Sequence, residues 1–189
     1  MAASRRFAYY NRLSAKEKAD YRLSDAISVI MLPDVPALQG LVQGVEVALA
    51  SGKRVRVAKA VTALIAAILA QVEAPPVKVH VREVRPDLED AELHGLYTYG
   101  ADGKPPALEV WMRTRALAKV VKLRTFIRTI VHEVLHHLDV TIFGMEDTFH
   151  TEGFFRRESS IIRALFGNPP ARALRPARRK STQLGLFDR

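Results

Sequence analysis

The chain has 189 residues, a hydrophobic fraction of 48%, a net charge of +9 and no cysteine. This composition predicts one globular domain with extensions, and it excludes disulfides, thiolate metal sites and a cysteine nucleophile. The longest apolar run, 61–70, is too short to span a bilayer, and the first residues lack the apolar segment of a signal peptide. We therefore expect a cytoplasmic protein that does not bind a membrane.

Residues 1–53 are predicted to form an N-terminal helical extension. Ser14 and Glu17 have the spacing of a capping box, in which each side chain bonds the other residue's backbone at the start of a helix. A second helix is expected over Pro36–Ala50, because its apolar residues recur at helical spacing and Ser51 and Gly52 close it.

Residues 54–166 are predicted to form the main domain. A long helix over Val55–Val72 should be followed by a strand over Val77–Val84, where apolar and polar residues alternate. Two further strands, Leu96–Tyr99 and Leu108–Met112, flank a glycine-containing turn at Gly100–Gly103. With the helices expected downstream, this order predicts an α+β fold with a small three-stranded antiparallel or mixed sheet.

The most informative motif is His132-Glu133-Val134-Leu135-His136, the H-E-x-x-H pattern of zinc hydrolases. It lies in a predicted helix, Phe126–Ile142, so both histidines should share one face and reach one metal ion. Glu133 would then act as general base on a water molecule. A chance match is expected in about one chain in a hundred of this composition. The residues predicted to bury this helix are Ile127, Ile130, Val131, Val134, Leu135, Leu138 and Ile142.

A catalytic zinc site needs a third protein ligand, and His150 is the best candidate. Thirteen residues separate it from His136, enough to turn near Gly144 and return at the start of a second helix over Gly153–Phe166. A carboxylate ligand remains the alternative. The acidic residues within reach are Glu146, Asp147, Glu152 and Glu158.

Gly95 is followed along the chain by the strand at 107–112, the H-E-x-x-H helix, and a distant histidine with Gly-Phe after it. This order resembles that of the SprT-like zinc metalloproteases, which include bacterial SprT proteins and eukaryotic Spartan proteases. The resemblance covers roughly residues 55–166 and implies a minimal zincin-like domain. It implies that His132, His136 and His150 bind Zn²⁺ and that Glu133 is the catalytic base. Family members often have His-Gly-Pro-x-Phe at the third ligand and a cysteine-rich zinc ribbon. This chain has His-Thr-Glu-Gly-Phe and no cysteine.

Other polar residues near the motif have less specific predictions. His137 is turned about 100° from His136 on the helix, which favours a structural or solvent-facing role. Asp139 returns to the ligand face, where it would either orient a ligand imidazole or remain a surface carboxylate. His80 and His94 are expected to be packed or exposed histidines. The residues considered for stabilising an oxyanion are Tyr97, Tyr99, Arg156 and Arg157.

Residues 167–189 are predicted to be a disordered basic tail. From residue 156 to the last residue there are nine Lys or Arg and two acids, a net charge of +7. Such a segment suits contact with DNA phosphates, although a solubilising tail is the alternative. The cations that would contact nucleic acid are Arg172, Arg175, Arg178, Arg179 and Lys180.

The peptide Gln183-Leu184-Gly185-Leu186-Phe187 resembles the bacterial sliding-clamp-binding pentapeptide. Leu184, Leu186 and Phe187 would fill an apolar pocket while Gln183 supplies hydrogen bonds. The same peptide could instead anchor the tail on its own domain. Spartan proteases are directed to replicating DNA by a comparable peptide, so this resemblance agrees with the first.

Together these features predict a cytoplasmic zinc metallopeptidase that cleaves DNA-bound or DNA-crosslinked proteins. Two alternatives remain. One is a regulatory metalloprotease with a glutamate third ligand that cleaves a repressor. The other is a non-enzymatic adaptor that binds a clamp or DNA and uses zinc only for structure.

Overall fold

A computed structural model of the protein describes residues 7–86, 93–101 and 103–167. In this part of the chain, five α-helices and a small three-stranded sheet form a mixed α+β fold, as predicted. A short 3₁₀ helix, Ala8–Arg12, precedes the first α-helix. The elements are α1 (Ala15–Ala26), α2 (Val35–Ala50), α3 (Arg54–Gln71), β1 (Lys78–Val84), β2 (Gly95–Thr98), β3 (Ala107–Arg113), α4 (Leu123–Thr141) and α5 (Glu152–Phe166).

The first helices begin where the sequence places their capping residues. The capping box at Ser14 and Glu17 is confirmed, with both reciprocal hydrogen bonds present at the start of α1. Asp34 caps α2 by accepting a hydrogen bond from the backbone of Ala37. Helices α2 and α3 then pack against each other through their apolar faces.

The sheet is mixed, with the strand order β1-β3-β2. The central strand β3 pairs in parallel with β1, placing Val81 opposite Val110, and antiparallel with β2, placing Tyr97 opposite Leu108. The hairpin predicted between the second and third strands is therefore confirmed. Strand β2 lies at one edge of the sheet, where it packs against α4.

Helix α4 lies between the sheet and the other helices. Its apolar residues join a core with the inner face of β3 and with α2, α3 and α5. It begins one turn earlier than predicted and ends at Thr141. Ile142 was expected in the buried stripe, but that prediction is wrong: its side chain is 42% exposed, because the chain leaves the helix there and turns at Gly144, where φ is +66°.

Helix α5 returns alongside α4 and also contacts α1 and α2. Thr151 caps its start by accepting a hydrogen bond from the backbone of Phe154, and Gly167, with φ of +70°, ends it. Among the residues described, none of the helices combines the length and apolar character needed to cross a lipid bilayer.

Candidate metal centre

His132 and His136 occupy successive turns of α4, on a face next to the buried apolar stripe. The ring centroids of the two histidines are 4.9 Å apart. Burial of Val131, Val134 and Leu135 fixes the rotation of the helix about its own axis. Because the apolar stripe faces the core, the two histidines lie on the neighbouring face, which is the face that the segment joining α4 to α5 approaches.

His150 comes to the same point from that connecting segment, directly before the cap of α5. Its Nε2 atom lies 2.9 Å from Nε2 of His132 and 3.1 Å from Nε2 of His136. Among the described residues, these three histidines form the group whose ligand atoms could hold a metal ion. The structure thus brings together the three residues that the sequence predicts as ligands.

The three imidazoles fit a tetrahedral metal ion. Nitrogens that share a zinc ion at 2.0–2.1 Å are separated from one another by roughly 3.3 Å. The observed Nε2 separations of 2.9 and 3.1 Å are shorter by only a few tenths of an ångström. Three nitrogen ligands leave a fourth position for water or substrate, which is the arrangement of catalytic zinc sites.

The protonation of the histidines also suits metal binding. Burial, with the nearby charges of His132 and His150, holds the pKa of His136 well below its usual range. Loss of solvent around the inward-facing side of His150, together with the charge of His132, lowers the pKa of that ring to about 4. Both rings are therefore neutral near pH 7, and a neutral imidazole is the form that donates a lone pair to a metal.

Glu158 of α5 orients the His132 ring through Nδ1, the nitrogen that does not take part in the histidine cluster. Its carboxylate lies 3.0 Å from Nδ1 of His132, and its other oxygen lies 3.0 Å from Nε of Arg128. With Nε2 directed at the metal position, Nδ1 carries the proton and donates to the carboxylate. The sequence offered Glu158 only as an alternative ligand, so its orienting role was missed.

Glu133 is buried beneath β2, at the point where that strand has a glycine. Its side chain is 7% exposed. A Cβ atom at Gly95 would lie 2.5 Å from Oε1 and 2.7 Å from Cγ of Glu133, so only glycine leaves space for this carboxylate. Desolvation raises the pKa of Glu133 to about 7, although the charge of His132 and the backbone N–H of Tyr97 act in the opposite direction.

His137 has the structural role that was predicted as one of two possibilities. It is fully buried, its Nε2–H donates to the carbonyl of Pro75 at 2.8 Å, and its Nδ1 accepts from the Tyr97 hydroxyl at 3.1 Å. The hydroxyl of Tyr97 is therefore engaged with His137. This corrects the suggestion that Tyr97 stabilises an oxyanion.

Asp139 fits neither of the roles predicted for it. It is fully buried and accepts two hydrogen bonds from Nη2 of Arg157, at 2.7 and 3.1 Å. It contacts this guanidinium and not a ligand imidazole, and it is not on the surface. Arg157 is fully buried in this pair, so it too is removed as an oxyanion partner. The partner of Asp139 could not be inferred from the α4 sequence alone, because Arg157 lies on α5.

Of the remaining oxyanion candidates, Tyr99 lies close to the ligand-bearing segment. Its hydroxyl is 3.2 Å from Oγ1 of Thr148, two residues before His150, and its side chain is 42% exposed. Phe155, also exposed, stacks on the His150 ring with centroids 6.0 Å apart. Arg156 forms an exposed pair with Glu152, which was one of the carboxylate alternatives for the third ligand.

The remaining predicted site residues are in the tail. The nucleic-acid residues Arg172, Arg175, Arg178, Arg179 and Lys180, and the peptide Gln183–Phe187, lie outside the described residues. The histidines His80 and His94 take no part in the metal cluster. The first is half-buried on β1 and the second is exposed just before β2.

The chain matches no protein-family model, no curated protein and no solved structure.

Proposed function

We propose that the protein is a zinc-dependent metallopeptidase of SprT-like type. The observation that carries the proposal is the convergence of three imidazole nitrogens from His132, His136 and His150 beside the buried Glu133. A structural zinc site usually has four protein ligands, whereas this group provides three and a carboxylate suited to act as a base. The combination favours an enzyme over an adaptor with structural zinc.

The residues divide the chemistry between binding and proton transfer. A zinc ion held by the three imidazoles would polarise the substrate carbonyl and acidify a water molecule. Glu133, whose pKa is raised to about 7, can accept a proton near neutral pH and donate it to the departing amine. Tyr99 is exposed beside the ligand segment and is the best remaining candidate to contact the carbonyl oxygen of the substrate.

The architecture is compatible with a minimal zincin-like domain. The H-E-x-x-H helix α4 packs against a small mixed sheet, and the edge strand β2 lies over the motif's glutamate. His150 returns from a separate segment to complete the ligand set. The composition, which lacks cysteine, fits a cytoplasmic location for the enzyme.

The proposed mechanism is tested by Glu133→Gln, which keeps the shape of the side chain and removes the base. We expect the zinc content to stay at one ion per chain while cleavage of a DNA-bound protein substrate falls about 10²–10⁴-fold. Chelator treatment of the wild-type enzyme should abolish cleavage, and added zinc should restore it. Retention of wild-type activity by Glu133→Gln would contradict the proposed mechanism.

The third ligand is tested by comparing His150→Ala with Glu152→Ala. We expect His150→Ala to lose zinc on dialysis and Glu152→Ala to retain it, because Glu152 pairs with Arg156 and not with the histidine cluster. The opposite pattern would favour the regulatory metalloprotease with a glutamate ligand.

We further propose that the tail brings the enzyme to DNA-bound substrates. The five cations of residues 172–180 suit phosphate contacts that weaken steeply with salt. The peptide Gln183–Phe187 would dock on a sliding clamp through its Leu and Phe side chains. A peptide of the last 15 residues should bind purified bacterial clamp in calorimetry, and a Leu186→Ala, Phe187→Ala peptide should not. Equal behaviour of the two peptides would overturn the clamp proposal.

A further inference from the structure

The end of α1 contacts the connecting segment on both sides of His150. The buried hydroxyl of Ser24 hydrogen-bonds Oγ1 of Thr151 at 3.1 Å and donates to the carbonyl of Phe149 at 3.4 Å. These partners are the residues directly before and after the third histidine. Ser24 and Thr151 are both fully buried, so water cannot replace this contact.

The start of α5 is pressed directly against the same end of α1. The backbone N–H of Gly153 donates to Oδ1 of Asp25 at 3.0 Å. A Cβ atom at Gly153 would lie only 2.4 Å from the carbonyl oxygens of both Ser24 and Asp25. Glycine is therefore required here by the close approach of two backbones, which determines where the residues around His150 lie.

A second carboxylate of α1 holds the earlier part of the connecting segment. Oδ2 of Asp20 accepts hydrogen bonds from the backbone N–H groups of Glu146 and Asp147, each at 3.1 Å. The ring of Tyr21 packs against Phe149 with centroids 5.9 Å apart. Helix α1 thus contacts the segment and the start of α5 repeatedly, from residue 146 to residue 153.

Arg157 joins this contact to the helix that carries the other two ligands. Its Nη1 donates to the carbonyls of Ser24 and Ile27, while its Nη2 bonds the Asp139 carboxylate on α4. One buried guanidinium therefore connects the end of α1 with α4 and α5. A displacement of α1 would leave this charge without two of its acceptors.

From these contacts we infer that α1 positions His150, so that the N-terminal helix is a functional part of the metal centre. His132 and His136 are placed by the helix that contains them, but His150 stands in a segment without regular structure between Thr141 and Glu152. Hydrogen bonds from α1 hold that segment in place before a metal binds. Asp20 and Asp25 are therefore positioning residues, and the inference rests on the metal binding in the proposed function.

The test measures zinc affinity and not peptidase activity. In Asp20→Ala, Asp25→Ala, the backbone loses two hydrogen-bond acceptor contacts in the connecting segment and a third at Gly153, at the start of α5. The conservative Asp20→Asn, Asp25→Asn variant keeps an acceptor oxygen at each position, and Leu23→Ala changes an exposed side chain on the same helix. Zinc dissociation constants are measured by competition with a chromophoric chelator, and the cobalt(II)-loaded proteins are compared by visible absorption.

We expect the alanine variant to bind zinc about 10–100-fold more weakly, as when a residue that orients a ligand is lost. Its cobalt spectrum should lose the intensity of a four-coordinate site. The asparagine variant and Leu23→Ala should stay close to wild type. Wild-type affinity in the alanine variant, or equal weakening in the asparagine variant, would overturn the inference while leaving the proposed peptidase intact. A wild-type protein that fails to bind zinc would instead contradict the proposed function itself.

Hydrogen exchange gives a second test, whose deciding measurement is made on the unmodified protein. Because coupling is reciprocal, a helix that favours metal binding must itself be stabilised by the metal. Zinc should slow amide exchange in α1 more than in α3, for which the structure shows no hydrogen bond to the connecting segment, and His150→Ala should remove this protection. Unchanged exchange of α1 on zinc binding would overturn the inference.

Discussion

The two halves of the metal centre are built in different ways. His132, Glu133 and His136 lie within two turns of α4, so the helix geometry and one buried apolar stripe fix their relation. His150 stands in an irregular segment. The position of that segment is determined by contacts with α1 and by the packing of α1 on α5, which includes Arg157. The first half follows from local sequence, whereas the second depends on residues more than a hundred positions away in the chain.

The largest expected effect comes from breaking the buried charge pair that supports the second half. Asp139→Ala leaves the Arg157 guanidinium buried without its carboxylate, because both side chains are fully buried. We expect the free energy of unfolding to fall by about 3–5 kcal/mol, measured by urea unfolding of the metal-free protein.

The exposed pair of Arg82 and Glu109 on the sheet provides the control for that measurement. Glu109→Ala should cause only a small decrease, because solvent screens an exposed pair. If Asp139→Ala proved as mild as Glu109→Ala, the buried network would not be what holds α1, α4 and α5 together.

The first half is best tested through Gly95 of strand β2, which lies over the base. In Gly95→Ala the new Cβ would overlap Glu133 and also Thr129, whose Cγ2 would lie at 2.8 Å. A displacement of the base of about 1 Å should lower kcat about 10²-fold while zinc affinity changes little. Steady-state kinetics and zinc titration of the same preparation separate the two effects.

Gly44→Ala is the matched control, since a Cβ at Gly44 in α2 meets no atom within 4 Å. This variant should keep wild-type kcat and gain about 0.5–1 kcal/mol of stability, because alanine favours a helix over glycine. Wild-type kcat in Gly95→Ala would show that the strand does not determine the position of Glu133.

A smaller effect is expected where the two halves meet, at the contact of Glu158 with His132. Glu158→Ala removes the acceptor of the His132 Nδ1–H and should weaken zinc binding about 10–100-fold. Arg128→Ala, which removes only the outer partner of Glu158, should have a much smaller effect. Competition with a chelator measures both variants, and equal weakening would show that the direct contact of Glu158 with His132 is not the cause.

The sequence predicted the elements well where the signals are local. The capping box at Ser14, the alternating strand β1 and the hairpin before β3 are all present, with boundaries within about three residues. The prediction that Ile142 is buried failed because helical periodicity alone could not show that the helix ends one residue earlier, at Thr141. The fold class was predictable from these elements, and the parallel pairing of β1 with β3 was left open.

The supporting contacts could not be predicted, because each joins residues on different elements. Asp139 was expected on the ligand face or the surface, but its partner Arg157 comes from α5. Nothing in the local sequence marks Glu158 as the residue that orients His132, or Gly153 as the residue that packs on α1. Such roles require the three-dimensional packing of helices, and helical periodicity shows only which residues share a face.

The location of the bound metal tests the central claim most directly. Crystals of the zinc-loaded protein, measured on both sides of the zinc absorption edge, give an anomalous difference map. We predict one peak about 2.0–2.1 Å from Nε2 of His132, His136 and His150, with Glu133 close by and not a ligand. A peak bound by a carboxylate in place of His150, a site closed by four protein ligands, or no peak at these histidines would contradict the account.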